Sequence, residues 1–393
     1  MDVLAVIRAP LEQYPPSVYQ VALLAEAGLS VAVIDTWHTE FKEIQFKGQV
    51  CRIHAVPHTL SYKEKLPSRL MRIRYAWAFK RAVRGAWREL QPKVIIAYDD
   101  RVCPMLGRMR RGRHRARIIC HFHELPQYQP GDGLGVWYAT RYCRKFARTS
   151  DLVIFPDAHR AGIFGAQAGL MCSPAIVMNC PRRLAELPAN TLAVCLKAAG
   201  LANCRVVFFQ GWLGPDRGLE SLVRSMKLWP AESALVLVGP ATDSYKKSLL
   251  DLAVETGMRQ RVLFIGMVPL GDLDGLIAGA DVAVALFPSD TSDLNFRYLA
   301  GASNKRFMYM SLAVAQVTNI GPGMSDIIER HKCGVMVDPN APNEVGGAVR
   351  ALLENEPLRK EMGRNGRTAH LEEYNYERQF APVLGQIVRW SGR

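Results

Sequence analysis

Phe208–Leu222 reads FFQGWLGPDRGLESL. Phe208 and Phe209 close a short apolar run. Gly211 and Gly214 permit a tight turn, and Gly218 permits close approach where an amphipathic stretch begins. This order predicts a buried strand, a turn and a helix N-terminus. Arg217 falls where free backbone N–H groups and the helix dipole favour an anion. That is a specification for a phosphate site, although many strand-to-helix turns carry glycine and a charge. The segments around it give it meaning.

Downstream, strand candidates recur at Ala234–Val238, Val262–Ile265, Val282–Ala285, Ala313–Val317 and Gly334–Val337, each followed by a turn and a helical pattern. Arg205–Phe209 opens this series. An earlier series contains Val3–Ile7, Val31–Ile34, Val50–Ala55, Val94–Ala97, Ile118–His121, Leu152–Phe155 and Ala175–Met178. Helical stretches at Ser17–Ala27, Ser68–Leu90, Gly135–Arg148 and His159–Gly169 separate these strands. Strand and helix alternating in this way predict parallel sheets covered by helices. The fold class expected is α/β, with two doubly wound, Rossmann-like domains facing a central cleft. Their boundaries fall at 1–180 and 181–375, and a last helix occupies 376–393. In such sheets ligands bind beyond the carboxyl ends of the strands.

The chain has 393 residues, of which 49% are hydrophobic, enough for two sizeable cores. Its longest apolar runs, such as ALVLVG, are too short to span a bilayer. The start, MDVLAVIRAP, reads as a first strand and not as a signal peptide. Nine cysteines without a C-x-x-C pair suit reduced core thiols in a cytoplasmic protein better than a disulfide framework or a zinc site. Net charge is +14, and residues 63–117 hold 17 Lys/Arg against 4 Asp/Glu. So concentrated a positive field suggests an anionic partner, namely membrane lipid, nucleic acid or a phosphorylated substrate.

The second series, taken as ordered blocks, resembles the donor-binding domain of the GT-B glycosyltransferases, in the large retaining family four, or group 1 type. FFQGWLGPDRGLESLV is similar to that family's opening strand, glycine turn, basic residue and helix. RVLFIGMVPLGDLDGLIAGADVAVALFPS resembles the block in which a G-x-V-P loop precedes a helix and an A-D-V strand. SNKRFMYMSLAVAQV resembles the form in which P-N-K-x-F-E-Y-M opens the ribose-binding helix. The likeness runs through about residues 205–385. In the first series, CHFHELPQY resembles the family's Y-D-x-H-E segment, and DLVIFPDAHRAGIF with VMNCP its last acceptor-domain strand, helix and hinge.

The resemblance implies retaining transfer of a hexose-type sugar from a nucleoside diphosphate, UDP- or GDP-linked. It makes 1–180 the acceptor domain and 181–375 the donor domain, with 376–393 crossing back to the first. His123 and Glu124 fall on the family's H-E and are the catalytic candidates, the histidine facing the transferred sugar. Gly211, Arg217, Gly301, Ser303, Asn304, Lys305 and Met308 fall on the donor site. Developing charge on a leaving diphosphate needs fixed donors and cations. Arg217 suits bidentate contact and Lys305 a point charge, with backbone N–H groups around Gly301–Asn304 in support. No cofactor and no metal ion are implied, because fixed cations can do this work.

Three departures stand out. The family's Glu-x7-Glu pair aligns with Ala300 and Met308, and a thioether cannot replace a charged acceptor for ribose hydroxyls. Trp212 stands where many members have Arg. The first loop reads Tyr14-Pro15-Pro16-Ser17 in place of Gly-Gly. A GT-B-like subunit without catalysis is therefore the competing reading.

Ser68–Leu90 reads SRLMRIRYAWAFKRAVRGAWREL. Phe79, Val83, Ala86 and Leu90 form one helical stripe, and Arg72, Lys80, Arg84 and Arg88 another. With Trp77 and Trp87, this is the composition of a helix that lies on anionic lipid. A lipid-linked acceptor at the inner membrane face is the partner expected. The cluster RMRRGRHRAR, at 108–117, extends the basic run. Such clusters also track nucleic-acid phosphates, so a glycosyltransferase that modifies nucleic acid bases is a third reading.

Overall fold

The computed structural model describes residues 1–37, 43–57, 69–107, 116–129, 131–287 and 291–392. Most of the expected basic cluster at 108–117 lies outside them. The chain divides into two compact units. Unit one is Met1–Asn179 with Tyr376–Arg393, and unit two is Cys180–Asn375.

Unit one holds seven strands: β1 (Val3–Val6), β2 (Val31–Trp37), β3 (Val50–Pro57), β4 (Val94–Tyr98), β5 (Arg117–His121), β6 (Leu152–Phe155) and β7 (Ala175–Ile176). All pairs are parallel, in the order β3-β2-β1-β4-β5-β6-β7. Val3–Val6 and Val94–Ala97 are wholly buried. These central strands are covered on both faces, so they read as continuous apolar runs without alternation. Each such side chain contributes about 1.5–3 kcal/mol on burial. The helix Tyr376–Trp390 packs against the helix Pro15–Glu26. Its Tyr376, Phe380, Val383 and Ile387 complete the apolar cluster formed with β1, β2 and β4.

Unit two holds β8 (Arg205–Gln210), β9 (Ser233–Val238), β10 (Val262–Gly266), β11 (Val282–Ala285), β12 (Ala315–Asn319) and β13 (Gly334–Val337). Their order is β10-β9-β8-β11-β12-β13, again all parallel. In both sheets the winding reverses beside the first strand, between β1 and β4 and between β8 and β11. Ligand crevices of doubly wound sheets open at such reversals.

Three local readings differ from expectation. β12 begins at Ala315 and not at Ala313, because Ala313 has φ 58 and its N–H closes a turn on Met310. A helix at Asp99–Gly107 went unforeseen, since it contains Pro104 and opens on a residue at φ 62. On the helix Arg69–Leu90, Trp87 is core and only Trp77 is exposed.

Candidate functional site

The winding reversal of unit two is where the expected phosphate residues collect. β8 ends in the Gly211 turn, and Pro215–Arg217 forms one 3-10 turn before Gly218 at φ 61. Gly211 has φ 122, and a Cβ there would lie 3.1 Å from Lys305 Nζ, so the glycine leaves room for that ammonium. Phe287, just past β11, gathers three cations. The Arg217 guanidinium lies 5.3 Å from its ring centre, Lys305 Nζ 5.0 Å and the Arg306 guanidinium 5.2 Å. Lys305 Nζ is also 4.1 Å from the Phe209 ring centre, and Arg217 is 4.8 Å from that of Phe296.

Lys305 is the informative member. Its Nζ is buried and has no hydrogen-bond partner among the described residues. Burial pulls its pKa well below the ordinary lysine range, and Arg217 and Arg306 push the same way. The Ser303 and Asn304 side-chain oxygens beside it are also buried and unpartnered. Buried polar groups are satisfied in the great majority of cases. A cluster of unmet atoms at a strand reversal therefore marks a place for a polar ligand. Two lone cation–ring contacts are modest compensation for a desolvated ammonium.

Other expected roles change here. The N–H groups of Ala302 and Ser303 already bond the Leu299 carbonyl at 3.1 and 3.0 Å, so they are not presented to a ligand as expected. Gly301 is buried in the turn before the helix Asn304–Ser311. Met308 is 6% exposed and packs in an apolar cluster, its sulfur 3.4 Å from the Gln210 side-chain nitrogen, which donates to it. It belongs to the core. Arg306, not foreseen, is fully buried and donates to Asn319 Oδ1 at 2.5 Å.

In unit one, His123 lies just beyond β5. Asp99 clamps it twice, Oδ1 accepting from its backbone N–H and Oδ2 standing against Nδ1, both at 2.8 Å. Ser17 Oγ, on the helix Pro15–Glu26, lies 2.9 Å from Nε2. Arg160 donates to the His123 carbonyl at 3.0 Å. Tyr14 flanks the imidazole with ring centres 4.7 Å apart, and Tyr98 stacks on it at 5.5 Å. Burial pushes the Asp99 carboxyl up, but the His123 imidazole and two hydrogen bonds from that residue outweigh it and hold the pKa below the usual range. Asp99 adopts φ 62. That region costs a non-glycine residue about 1 kcal/mol, and Asp tolerates it better than most. Glu124, the next residue, is exposed.

His121 stacks on His123 with ring centres 5.1 Å apart. Burial and the neighbouring His123 pull its pKa down to about 3, and its Nδ1 lies 3.1 Å from Gln20 Oε1. It is a neutral core histidine. Asp99 and Ser17 were missed because nothing in spacing links residues 17, 99 and 123. The signal lay in the pairing of β4 with β5, where Tyr98 opposes His121 and brings Asp99 to His123.

Among the described residues no group of three or more His, Cys, Asp or Glu is placed to hold a metal ion, and no helix is long and apolar enough to cross a membrane. All nine cysteines are free thiols.

Two family models match. "Glycosyl transferase 4-like domain" covers 17–170, and "Glycosyl transferases group 1" covers 201–369. An uncharacterized glycosyltransferase of Methanocaldococcus jannaschii is 25% identical over 174 residues, or 44% of this chain and 42% of that one. The aligned part thus spans less than half the length of that curated relative. Among solved structures, Anabaena HepE in complex with UDP is similar at TM-score 0.72 and 15% identity, over 99% of this chain and 100% of that one. Sucrose-phosphate synthase from Thermosynechococcus elongatus is similar at TM-score 0.75 and 17% identity, over 99% and 98%. These likenesses give the fold as GT-B. The two family models fall one on each unit, in chain order, and this chain belongs to the group 1 glycosyltransferases.

Proposed function

We propose that the chain is a glycosyltransferase enzyme whose donor is a nucleoside diphosphate sugar, with the diphosphate held on unit two by Lys305, Arg217, Ser303 and Asn304 beside Gly211. The observation that carries this reading is the buried, unpartnered Lys305 ammonium at the β8–β11 reversal. A diphosphate would meet it with charge-assisted hydrogen bonds and would collect charge as the sugar leaves. Cationic side chains supply that charge, so the reading needs no cofactor. HepE, similar in fold, was crystallised with UDP. Retention of configuration and a hexose-type sugar rest on the family resemblance. The test is a thermal-shift panel with UDP, GDP, ADP and dTDP on wild type and Arg217→Ala. One nucleotide is expected to stabilise wild type by about 2.7 kcal/mol at 100 times its dissociation constant. Arg217→Ala should lose most of that shift. An equal shift in both proteins would remove Arg217 from the site.

For unit one we infer a lipid-linked or cell-surface glycan acceptor, met at an anionic membrane surface on the inner, cytoplasmic face. Two helices support it. On Arg69–Leu90, Ile73 and Trp77 are 59% and 61% exposed, between exposed Arg74, Arg81, Arg84 and Arg88. On Leu134–Ala147, Leu134, Trp137 and Tyr138 are exposed ahead of Arg141 and Lys145. Right-handed crossovers put both helices on the same face of the unit-one sheet. Exposed aromatic and aliphatic groups beside cations suit the lipid interface. The protein should sediment with anionic liposomes and not with neutral ones, and Trp77→Glu with Trp137→Glu should release it. Steep salt-dependent binding to duplex DNA without lipid binding would favour the nucleic-acid reading.

The subunit reading without catalysis keeps one observation in its favour, the core position of Met308. Steady sugar transfer by purified protein would dispose of it.

A further inference from the structure

We propose that Arg8 and Arg101 form an anion subsite on unit one that reads a phosphate ester carried by the acceptor. The proposal deepens, and rests on, the reading of unit one as the acceptor unit. Every residue it uses lies in that unit.

The register of β1 on β4 sets the place. Val6 lies opposite Ala97, so Arg8 and Asp99 leave the sheet as neighbours. Arg101 follows in the first turn of the helix Asp99–Gly107. This is the carboxyl edge of the unit-one sheet at its winding reversal, where doubly wound sheets take ligands.

Arg8 is the informative residue. It is half-buried, and among the described residues its guanidinium has neither a hydrogen bond nor an ion pair. The charge that acts on it is a second cation. Burial lowers the Arg8 pKa, and Arg101 lowers it further. An arginine cannot shed its proton to relieve such a position. Charges drawn out of water are normally paired, and this one faces its own sign.

The acids of the same two loops are engaged. Asp99 gives one carboxylate oxygen to the His123 backbone N–H and sets the other against the His123 ring. Asp100 faces Arg101, but burial and Asp99 push its carboxyl pKa up, which weakens it as a counter-charge. Glu12 accepts from Arg52 with both oxygens. A phosphate monoester brings three free oxygens and about two negative charges. It can meet two forked guanidinium groups from different elements at once, whereas a carboxylate has two oxygens and one charge to share between them.

The test uses the full chain with ¹⁵N-labelled arginine, the Arg8 Nε signal being assigned from its loss in Arg8→Gln. Glycerol 3-phosphate should move that signal in wild type, and glycerol should not. Read from the same signal, Arg101→Gln should weaken the ester by about tenfold. A second arm compares phosphatidylcholine vesicles holding phosphatidic acid, whose headgroup is the same ester, with vesicles holding phosphatidylserine. A wild-type preference for phosphatidic acid that Arg8→Gln abolishes supports the proposal and makes the source a lipid. A response to the soluble ester without that preference supports it and makes the source a water-soluble or glycan-borne phosphate. An Arg8 signal that neither the soluble ester nor the lipid moves, or equal ester affinity in wild type and Arg101→Gln, would overturn it. Thermal melts check for a structural role. Because Arg8 has no partner to lose, Arg8→Gln should melt at or above wild type, and a clearly lower Tm would also overturn the proposal. Failure of wild type to bind vesicles of either kind would sink the membrane reading alone, since the soluble arm still decides the subsite.

Discussion

Lys305→Met is expected to make the protein more stable and to weaken its binding of a nucleoside diphosphate severely. Methionine has similar length and packs well on the Phe209 and Phe287 rings that now flank the ammonium. Removing a buried group with no partner should stabilise the free chain by about 1–3 kcal/mol. In a unit of this size that is roughly 2–4 °C of Tm per kcal/mol. Diphosphate affinity should fall by about 100-fold or more, since the ligand would bury charge against a neutral thioether. A less stable variant that still binds UDP would contradict both the site and its cost.

The pH dependence has a definite sign. The folded-state pKa of Lys305 lies below its unfolded value. Between the two, the unfolded chain holds a proton that the folded chain lacks, so stability of the free protein rises with pH in that window. A bound diphosphate restores the charged form and raises the pKa. Binding in the same window therefore takes up a proton and weakens as pH rises. Calorimetry of UDP in two buffers of different ionisation enthalpy should read uptake of up to one proton in wild type and none at this site in Lys305→Met.

Gly239→Ala should damage the same site from a distance. Gly239 follows β9 with φ 139, and a Cβ there would stand 1.9 Å from the Gly211 carbonyl oxygen. That oxygen is backbone and cannot turn aside, so the Gly211 turn itself must move. We expect a loss of about 3 kcal/mol in urea melts, from left-handed strain and the clash together. UDP binding should weaken as well, because Gly211 borders Lys305. Gly257→Ala is the control. Its φ is 73 with nothing within 4 Å of the added carbon, so only the conformational cost of about 1 kcal/mol applies and binding should be intact. Equal effects from both substitutions would exclude the proposed contact between the two turns.

The strands were legible because buried parallel strands write themselves as short apolar runs between glycine turns. β6, β9 and β13 lie within a residue of where those runs fall. Arg217 and Lys305 were singled out through the order of blocks around them, and the fold brings both against the Phe287 ring. Other features depend on pairing between distant strands, which one-dimensional spacing does not record. Asp99 meets His123 only through the register of β4 on β5. Phe287 falls just past the predicted strand Val282–Ala285 and carried no signal of its own, yet three cations converge on its ring. Trp87 looked like an interfacial ring because composition is blind to the face a helix buries, and Met308 looked like a ligand position because alignment with a motif is blind to packing.

The path of the chain has a consequence for its synthesis. Unit one is begun first, yet its apolar cluster is closed by Tyr376, Phe380, Val383 and Ile387, which follow the whole of unit two. At about 5–20 residues per second, the two parts leave the ribosome some 10–40 s apart. Through that interval Val18 and Val21 of the early helix lack their final cover, and unit two has every residue it needs by the time Tyr376 is added. The portion made earliest is the last to become whole, and it is the portion a chaperone would have reason to hold.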